Sequence, residues 1–385
     1  MAVDLSLPGR IIVGAGVSAQ VADRVAEFGA RRVLVVHGSR ADRARRIIDA
    51  LIESGCEVAT AAVPGEPGVD LVTAEVTAAR ASRCEAVVAV GGGSVIDAGK
   101  AIAALATNPG GPLAYLEVVG QGQPLSAAPL RMIAVPTTAG TGSEATRNAV
   151  LSVAAERVKV SLRSALMVPD IAIVDPDFLA GAPSGVLAAS GLDALTQLIE
   201  AFVCVKATAV TDAFVRQGLP RSARSLRPAV LEGPSASQRE DLAVASLMSG
   251  LALANAGLGV VHGFAGPIGG GFDAPHGAVC GALLPGALRV NLRALRERDP
   301  ASSAVARFGE IAGILTGEAE ASAEDGIEWV QRLRAELGVP RLGAYGIGEA
   351  DVAALVRKAK VASSTKGNPI VLSDQELADV LVAAL

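Results

Sequence analysis

The first half of the chain alternates short apolar segments rich in β-branched residues with segments of helical periodicity. Apart from His37, residues 33–37, 86–90, 132–135 and 171–174 are apolar, and each run is followed directly by turn-forming residues. This alternation is typical of parallel β-strands connected by helices that cover the sheet. After Asp175-Pro176 the strand pattern ends, and Ala- and Leu-rich segments with helical periodicity continue to the C-terminus.

The pattern predicts two domains of different class. A chain of 385 residues is about twice the common domain size. The domain boundary should lie where Asp175, Pro176, Gly181 and Pro183 crowd together. We predict an α/β domain with a Rossmann-like parallel sheet over residues 1–178 and an all-α domain over residues 179–385.

Composition excludes some partners and favours others. The chain is 51% hydrophobic and 19% charged, but no apolar run of eighteen residues lacks polar or glycine interruption, so we expect no membrane partner. The net charge of -5 and the absence of a basic cluster among aromatics argue against nucleic acid. We expect a small-molecule substrate.

The N-terminus and the cysteines bear on the compartment. Residues 1–10 lack the basic start and apolar stretch of a signal peptide, so we expect a cytoplasmic location. The cysteines are far apart and form no C-x-x-C pair, which favours ordinary buried thiols over a disulfide framework or a thiolate zinc site. They are Cys56, Cys84, Cys204 and Cys280.

A glycine-rich turn follows the second of these strand segments. Residues 86–90 run into Gly91-Gly92-Gly93-Ser94, and Asp97 and Lys100 follow. We predict that Ser94 caps the next helix and that Asp97 completes a capping box. Glycine amides at a helix N-terminus suit a pyrophosphate, although a plain tight turn also explains three glycines.

A second loop follows the third strand segment. Residues 133–136 open Thr137-Thr138-Ala139-Gly140-Thr141-Gly142-Ser143-Glu144, which is dense in hydroxyls and glycines. Such a loop suits ribose and phosphate recognition. The alternative is a hydroxyl-rich loop that only caps the following helix.

The two loops resemble those of the iron-containing alcohol dehydrogenase family, whose G-G-G-S-x-x-D-x-x-K and P-T-T-A-G-T-G-S-E segments hold a nicotinamide dinucleotide. The likeness continues in order through Lys159, Val174-Asp175-Pro176, Ser190-Gly-Leu-Asp193, His262 with Pro275-His276-Gly277, and Asn368-Pro369. The resemblance therefore spans essentially the whole chain. It implies a dinucleotide-binding first domain and a second domain that holds metal and substrate.

The resemblance also implies roles for individual residues. The dinucleotide-binding residues would be Gly92, Gly93 and Ser94 at the pyrophosphate, with Asp97 of the same motif. Thr137, Thr138 and Thr141 would lie beside the adenosine ribose, and Lys159 at the nicotinamide ribose. Only six lysines occur, at 100, 159, 206, 358, 360 and 366. This scarcity favours a functional Lys159 over a solvated surface lysine.

The residues after the first strand segment leave open whether the cofactor is NADP or NAD. NAD-preferring members of the family have an Asp there, whereas this chain has His37-Gly38-Ser39-Arg40. Gly38 removes the charge repulsion, Ser39 offers a hydroxyl, and Arg40 could pair with a 2'-phosphate. We expect NADP or NAD, with an ordinary strand-end turn as the alternative interpretation.

The resemblance implies a divalent metal, iron or zinc, in the second domain. Asp193, His262 and His276 match three of the family's ligand positions, and Gln197 stands where the family has a fourth ligand, His. A carboxamide oxygen is a weak ligand, so we place Gln197 at the edge of the site. Three strong ligands with one open position suit catalytic zinc. The alternative is a metal-free cleft with hydrogen-bonded histidines.

The resemblance implies metal-assisted hydride transfer between NAD(P) and an alcohol or carbonyl, with Asp193, His262 and His276 as catalytic residues, in a homodimer. Gly266 departs from the pattern, because many members have a proton-relaying His there. Three rivals remain: a maleylacetate reductase, possibly metal-independent; a lyase similar to dehydroquinate synthase; and a non-catalytic dinucleotide-binding relative. The substrate itself is not encoded in a recognisable motif.

Overall fold

The computed structural model describes residues 3–156 and 158–385. The chain divides into two compact units, Leu5–Ala180 and Gly181–Leu385, and the described residues 3–4 belong to the second. The sequence places its domain boundary between residues 178 and 179. The two units have different secondary structure, and each is described in turn.

The first unit contains a six-stranded parallel sheet. Its strand order is β1-β8-β5-β4-β2-β3, and β6 and β7 form a separate antiparallel pair. The strands are β1 (Arg10–Val13), β2 (Arg32–Gly38), β3 (Glu57–Val63), β4 (Ala86–Gly91), β5 (Arg131–Pro136), β6 (Asn148–Val153), β7 (Val158–Arg163) and β8 (Ile171–Val174). The four predicted segments are β2, β4, β5 and β8.

Helices cover both faces of this sheet. They are α1 (Val21–Glu27), α2 (Asp42–Glu53), α3 (Val69–Ala81), α4 (Gly93–Thr107) and the short α5 (Pro112–Tyr115). Side chains of α3 and α4 share one apolar core with Leu34 and Val36 of β2. Side chains of α1 and α2 share the other with Val33 and Val35 of the same strand. Successive residues of a strand point to opposite faces, so β2 contributes to both cores.

The second unit is helical, and the described residues 181–385 contain no strand. Its helices are α6 (Ser184–Val203), α7 (Ala209–Glu232), α8 (Ala236–Ala256), α9 (Val260–Gly271), α10 (His276–Arg298), α11 (Ser303–Thr316), α12 (Ala323–Glu336), α13 (Glu349–Val361) and α14 (Asp374–Val382). The predicted fold class, a Rossmann-like parallel-sheet region followed by helices, is confirmed.

Helices α6 and α10 form the interior of the helical unit. By length and composition both could cross a membrane, but 83% and 89% of their apolar 18-residue windows are buried within the protein. Their apolar character is therefore accounted for by packing against other helices.

Two glycines of α10 bring these helices close together. A Cβ atom at Gly277 would lie 2.0 Å from the carbonyl oxygen of Ala189 in α6. A Cβ at Gly281, one turn later, would lie 2.7 Å from Leu192 Cδ1. Any larger residue at 277 would push α10 away from α6, because the contact is with backbone and cannot move aside.

The start of α4 differs from the prediction. The helix begins at Gly93 with Gly92 as N-cap, and no side chain of the described residues caps it, so the expected capping box of Ser94 and Asp97 is wrong. The Asp97 carboxylate is engaged elsewhere. It accepts hydrogen bonds from the Ser143 hydroxyl and, at 2.9 Å, from the Val150 amide.

A buried lysine reinforces this arrangement. Lys100 Nζ lies 3.0 Å from an Asp97 oxygen and donates to the Ser143 carbonyl and the Thr146 hydroxyl, each at 3.0 Å. Burial lowers the pKa of Lys100, while Asp97 opposes that change. Asp97 and Lys100 thus tie α4 to the segment that follows the threonine-rich loop.

Glu144 lies in the same segment without such support. Its side chain is buried, and Oε1 has no hydrogen-bond partner among the described residues. Burial raises the pKa of this carboxyl from 4.5 to about 7, although Lys100 counteracts the change. The folded protein therefore holds the Glu144 proton more tightly than the unfolded chain does.

This difference predicts a pH-dependent stability. Because the folded-state pKa is raised, the free energy of unfolding should fall as pH rises from 4.5 to about 7. Glu144→Gln removes the ionisation, so the variant should gain stability over wild type across that window, by up to about 3 kcal/mol at neutral pH. Chemical denaturation of cofactor-free protein at several pH values measures this. The exposed Glu53→Gln is the control, and a pH-independent difference for Glu144→Gln contradicts the prediction.

Candidate functional site

The two loops of the first unit emerge side by side because their strands are neighbours. In the sheet register Gly91 at the end of β4 lies opposite Pro136 at the end of β5. The Thr137 amide then donates to the Gly91 carbonyl at 2.9 Å. The carboxyl end of a parallel sheet is where such folds bind ligands.

The glycine turn and the threonine loop are in close contact. A Cβ at Gly92 would lie 3.3 Å from the Thr138 side chain, and a Cβ at Gly93 would lie 2.6 Å from Thr141 Cγ2. Glycine is therefore required at 93 for the loops to approach. The described structure gives no protein hydrogen-bond partner to the amides of Gly93 and Ser94, and no side chain in it caps α4. Free amides at the start of a long helix fit a pyrophosphate.

The end of β2 lies beside the same loop. His37 pairs in register with Val90, and its Nδ1 lies 2.7 Å from the Gly38 carbonyl oxygen. A Cβ at Gly38 would meet Val95 at an ordinary contact distance of 3.8 Å. Ser39 is exposed, and exposed Arg40 forms a 3.0 Å ion pair with Asp42. Exposed pairs of this kind are weak, so Arg40 can exchange Asp42 for another anion.

Lys159 lies on β7 and is mostly buried. Its Nζ forms a 3.1 Å ion pair with Glu66. The lysine is therefore not a fully solvated surface residue. Its role at the nicotinamide ribose stays a prediction.

In the second unit, four side chains with potential metal-ligating atoms converge. Asp193 lies on α6, His262 on α9, and His276 and Cys280 on α10. One donor atom from each lies within 4.8 Å of the others. The two histidines are brought together by the turn after α9, and their ring centroids are 5.6 Å apart.

The distances within this cluster are those of a coordination site. An oxygen of Asp193 lies 3.3 Å from His262 Nε2 and 3.7 Å from His276 Nε2. Two nitrogen or oxygen ligands of a tetrahedral zinc ion lie about 3.4 Å apart, given the usual bond lengths. The site therefore matches the donor set and spacing of a divalent metal.

The electrostatics of the cluster favour a positive charge. Burial opposes ionisation of Asp193, but His276 and His262 lower its pKa overall. Burial also opposes protonation of His276, yet the Cys280 sulfur and Asp193 raise its pKa to about 9. The same neighbours and Glu200 raise the pKa of His262 well above its ordinary value, against the effect of burial. A cation is stabilised where these groups meet.

Glu200 orients one of the histidines. Its Oε2 lies 2.6 Å from His262 Nδ1, and its Oε1 accepts a 2.7 Å hydrogen bond from the Val261 amide. The Nδ1 contact leaves Nε2 of His262 directed at Asp193. A carboxylate behind a ligating histidine fixes the ring and increases its basicity.

Gln197 lies one turn after Asp193 on α6. Its side chain is buried, and its oxygen accepts a 2.6 Å hydrogen bond from the Ser249 hydroxyl. Gln197 is thus held by hydrogen bonding, and its role as a metal ligand stays a prediction. A Cβ added at Gly266, on α9, would meet no atom of the described residues within 4 Å.

Cys280 and Glu200 are the residues at this site that the sequence motifs did not reveal. The signal for both was helical spacing. Cys280 follows His276 by four residues, and Glu200 follows Asp193 by seven, so each pair lies on one helix face. Widely separated cysteines gave no motif in the linear sequence.

Comparisons with known proteins identify the family. The family model for iron-containing alcohol dehydrogenase matches residues 8–176, and that for the C-terminal region of the Fe-containing alcohol dehydrogenase family matches residues 187–385. The chain is 35% identical to 1,3-propanediol dehydrogenase of Klebsiella pneumoniae, over 98% of this chain and 97% of the relative. It is 33% identical to the NAD-dependent methanol dehydrogenase of Bacillus methanolicus, over 98% and 99%.

The structure gives the same result. A crystal structure of 1,3-propanediol oxidoreductase superimposes with a TM-score of 0.91 at 33% identity, covering all of both chains. An alcohol dehydrogenase from Oenococcus oeni does so with a TM-score of 0.91 at 28% identity, also over all of both chains. Members of this family are oxidoreductases that use NAD(H) and a divalent metal, in agreement with the two loops and the four-donor cluster. The chain belongs to the iron-containing alcohol dehydrogenase family.

Proposed function

We propose that this protein interconverts a small primary alcohol and its aldehyde by hydride transfer to and from a nicotinamide cofactor, with a divalent metal held by Asp193, His262 and His276. The observation that carries the proposal is the convergence of these three side chains: Nε2 of each histidine lies within 3.7 Å of an Asp193 oxygen. The relatives named for 1,3-propanediol and methanol favour a short, primary alcohol as the substrate class.

Asp193, Glu200 and His276 have different roles at the proposed site. Asp193 supplies the negative charge of the metal site, and Glu200 holds the His262 ring with Nε2 toward it. When bound, a divalent ion supplies a Lewis acid for the substrate oxygen. The His276 side chain is 40% exposed, which leaves one side of the cluster open to small molecules.

For the cofactor, we propose that the pyrophosphate lies on the amides of Gly93 and Ser94. Thr137, Thr138 and Thr141 would line its ribose side. The support is the uncapped start of α4 and the fit of the two loops against each other. We propose that both NAD and NADP bind, because Gly38 carries no charge to repel a 2'-phosphate.

The function is tested by metal removal combined with a substrate panel. Chelated protein should lose reduction of formaldehyde, acetaldehyde and 3-hydroxypropionaldehyde with NADH and NADPH, and added Zn²⁺ or Fe²⁺ should restore it. Binding of NADH by the chelated protein, measured by fluorescence, controls for intact folding. Full turnover by protein shown to be metal-free, with His262→Ala still active, contradicts the proposal.

The cofactor placement is tested at Gly93. In Gly93→Val the new side chain collides with Thr141, so the Kd for NADH should rise at least about tenfold, or about 1.4 kcal/mol. Calorimetric titration measures this. The matched control is Gly65→Val, where no atom of the described residues lies within 4 Å of the added Cβ. Equal NADH affinity in the two variants would show that the pyrophosphate does not bind at this loop.

The phosphate preference is tested at Gly38. Because a side chain fits there, Gly38→Asp should bind NADPH at least about tenfold more weakly through charge repulsion, while NADH binding is kept or strengthened. Gly38→Asn has the same shape without the charge and should discriminate much less. Unchanged NADPH affinity in Gly38→Asp would show that the 2'-phosphate does not approach the end of β2.

A further inference from the structure

The cluster contains a donor that the three-ligand site does not use. Cys280 Sγ lies 3.8 Å from His262 Nε2 and 3.8 Å from His276 Nε2. Its side chain is buried, and it lies one turn after His276 on the same face of α10. Cys280 is a free thiol, and its sulfur is directed at the two imidazole nitrogens and Asp193.

These separations are those expected of ligands on a common ion. In a tetrahedral zinc site, a sulfur and a nitrogen ligand lie about 3.6 Å apart, given bond lengths of about 2.3 and 2.1 Å. The two observed sulfur to nitrogen distances are close to this value. The two Asp193 to imidazole distances, 3.3 and 3.7 Å, lie on either side of the roughly 3.4 Å expected of oxygen and nitrogen ligands.

The expected fourth ligand is weak in this chain. Gln197 offers only a neutral carboxamide oxygen, and that oxygen already accepts the Ser249 hydroxyl at 2.6 Å. A thiolate binds borderline and soft divalent ions much more strongly than a carboxamide does. The strong donor that Gln197 does not provide on α6 is therefore offered by Cys280 on α10.

We propose that Cys280 is the fourth protein ligand of this metal centre, bound as a thiolate. The inference rests on the proposed metal-dependent function and specifies the ligand set of that site. On binding, the thiol proton passes to solvent and a metal–sulfur bond forms. A substrate oxygen would then have to approach from the side of the cluster that His276 leaves exposed.

The test uses metal spectroscopy, so it does not depend on turnover. Full-length protein is stripped with chelator and reloaded with Co²⁺, which reports a thiolate ligand by sulfur-to-cobalt charge-transfer absorption in the near ultraviolet. Wild type should show this absorption at one cobalt per chain. In zinc-loaded wild type, X-ray absorption spectroscopy should detect a sulfur atom about 2.3 Å from the zinc, together with nitrogen and oxygen atoms about 2.0–2.2 Å from it.

Cys280→Ser should lose the charge-transfer absorption and bind metal more than about tenfold more weakly, since even an outer partner of a metal site contributes that much. The control is Cys204→Ser, a buried thiol of the same unit that hydrogen-bonds the Ala256 carbonyl; it should keep the absorption. Adding Gln197→His to Cys280→Ser should recover affinity without the absorption, because an imidazole four residues after Asp193 lies on the same helix face.

Two results overturn the inference: cobalt-loaded wild type without charge-transfer absorption, or absorption that persists in Cys280→Ser. The X-ray absorption measurement on zinc-loaded wild type needs no variant, so a misfolded Cys280→Ser protein does not leave the question open. A protein with the sulfur signal but no activity on any aldehyde would contradict the proposed function and leave the ligand assignment intact. An active, metal-dependent protein without the sulfur signal would contradict the assignment of Cys280 and leave the proposed function intact.

Discussion

The contact between α6 and α10 sets the geometry of the four-donor cluster. It depends on a hydrogen atom at position 277, because a side chain there would reach within 2.0 Å of a backbone carbonyl. His276 precedes Gly277 by one residue, and Cys280 follows it by three. On the facing helix, Asp193 lies one turn after Ala189, the residue that Gly277 contacts. The separation of three of the four donors is therefore fixed by helix packing, and a small outward shift of α10 would separate them.

The third helix is positioned by polar groups at its start. Glu200 accepts from the amide of Val261, and Asn368 Oδ1 accepts from the amide of Val260 at 3.2 Å. Unsatisfied amides at a helix start attract oxygen acceptors. Because Glu200 also contacts the His262 ring, one carboxylate positions both the start of α9 and the imidazole that α9 carries.

The sequence predicted the fold class well because β2, β4, β5 and β8 have strong apolar patterns. It missed β1, whose four residues are all exposed or half-buried, and β3, whose core-facing positions include small Ala residues. It also missed the antiparallel pair β6 and β7. The capping box failed because Asp97 bonds to Ser143 and Val150, which are distant in sequence. The convergence of Asp193, His262 and His276 was expected from their motif positions, whereas that of Cys280 required knowledge of which helix faces meet.

All four side chains of the candidate metal cluster belong to the helical unit, and both candidate dinucleotide loops belong to the sheet unit. The two halves of the chemistry are thus specified by separate stretches of the gene. A substitution within the four-donor cluster therefore leaves the residues of the two loops unchanged, and the reverse also holds. Mutations in the cluster and mutations in the loops are separate genetic events.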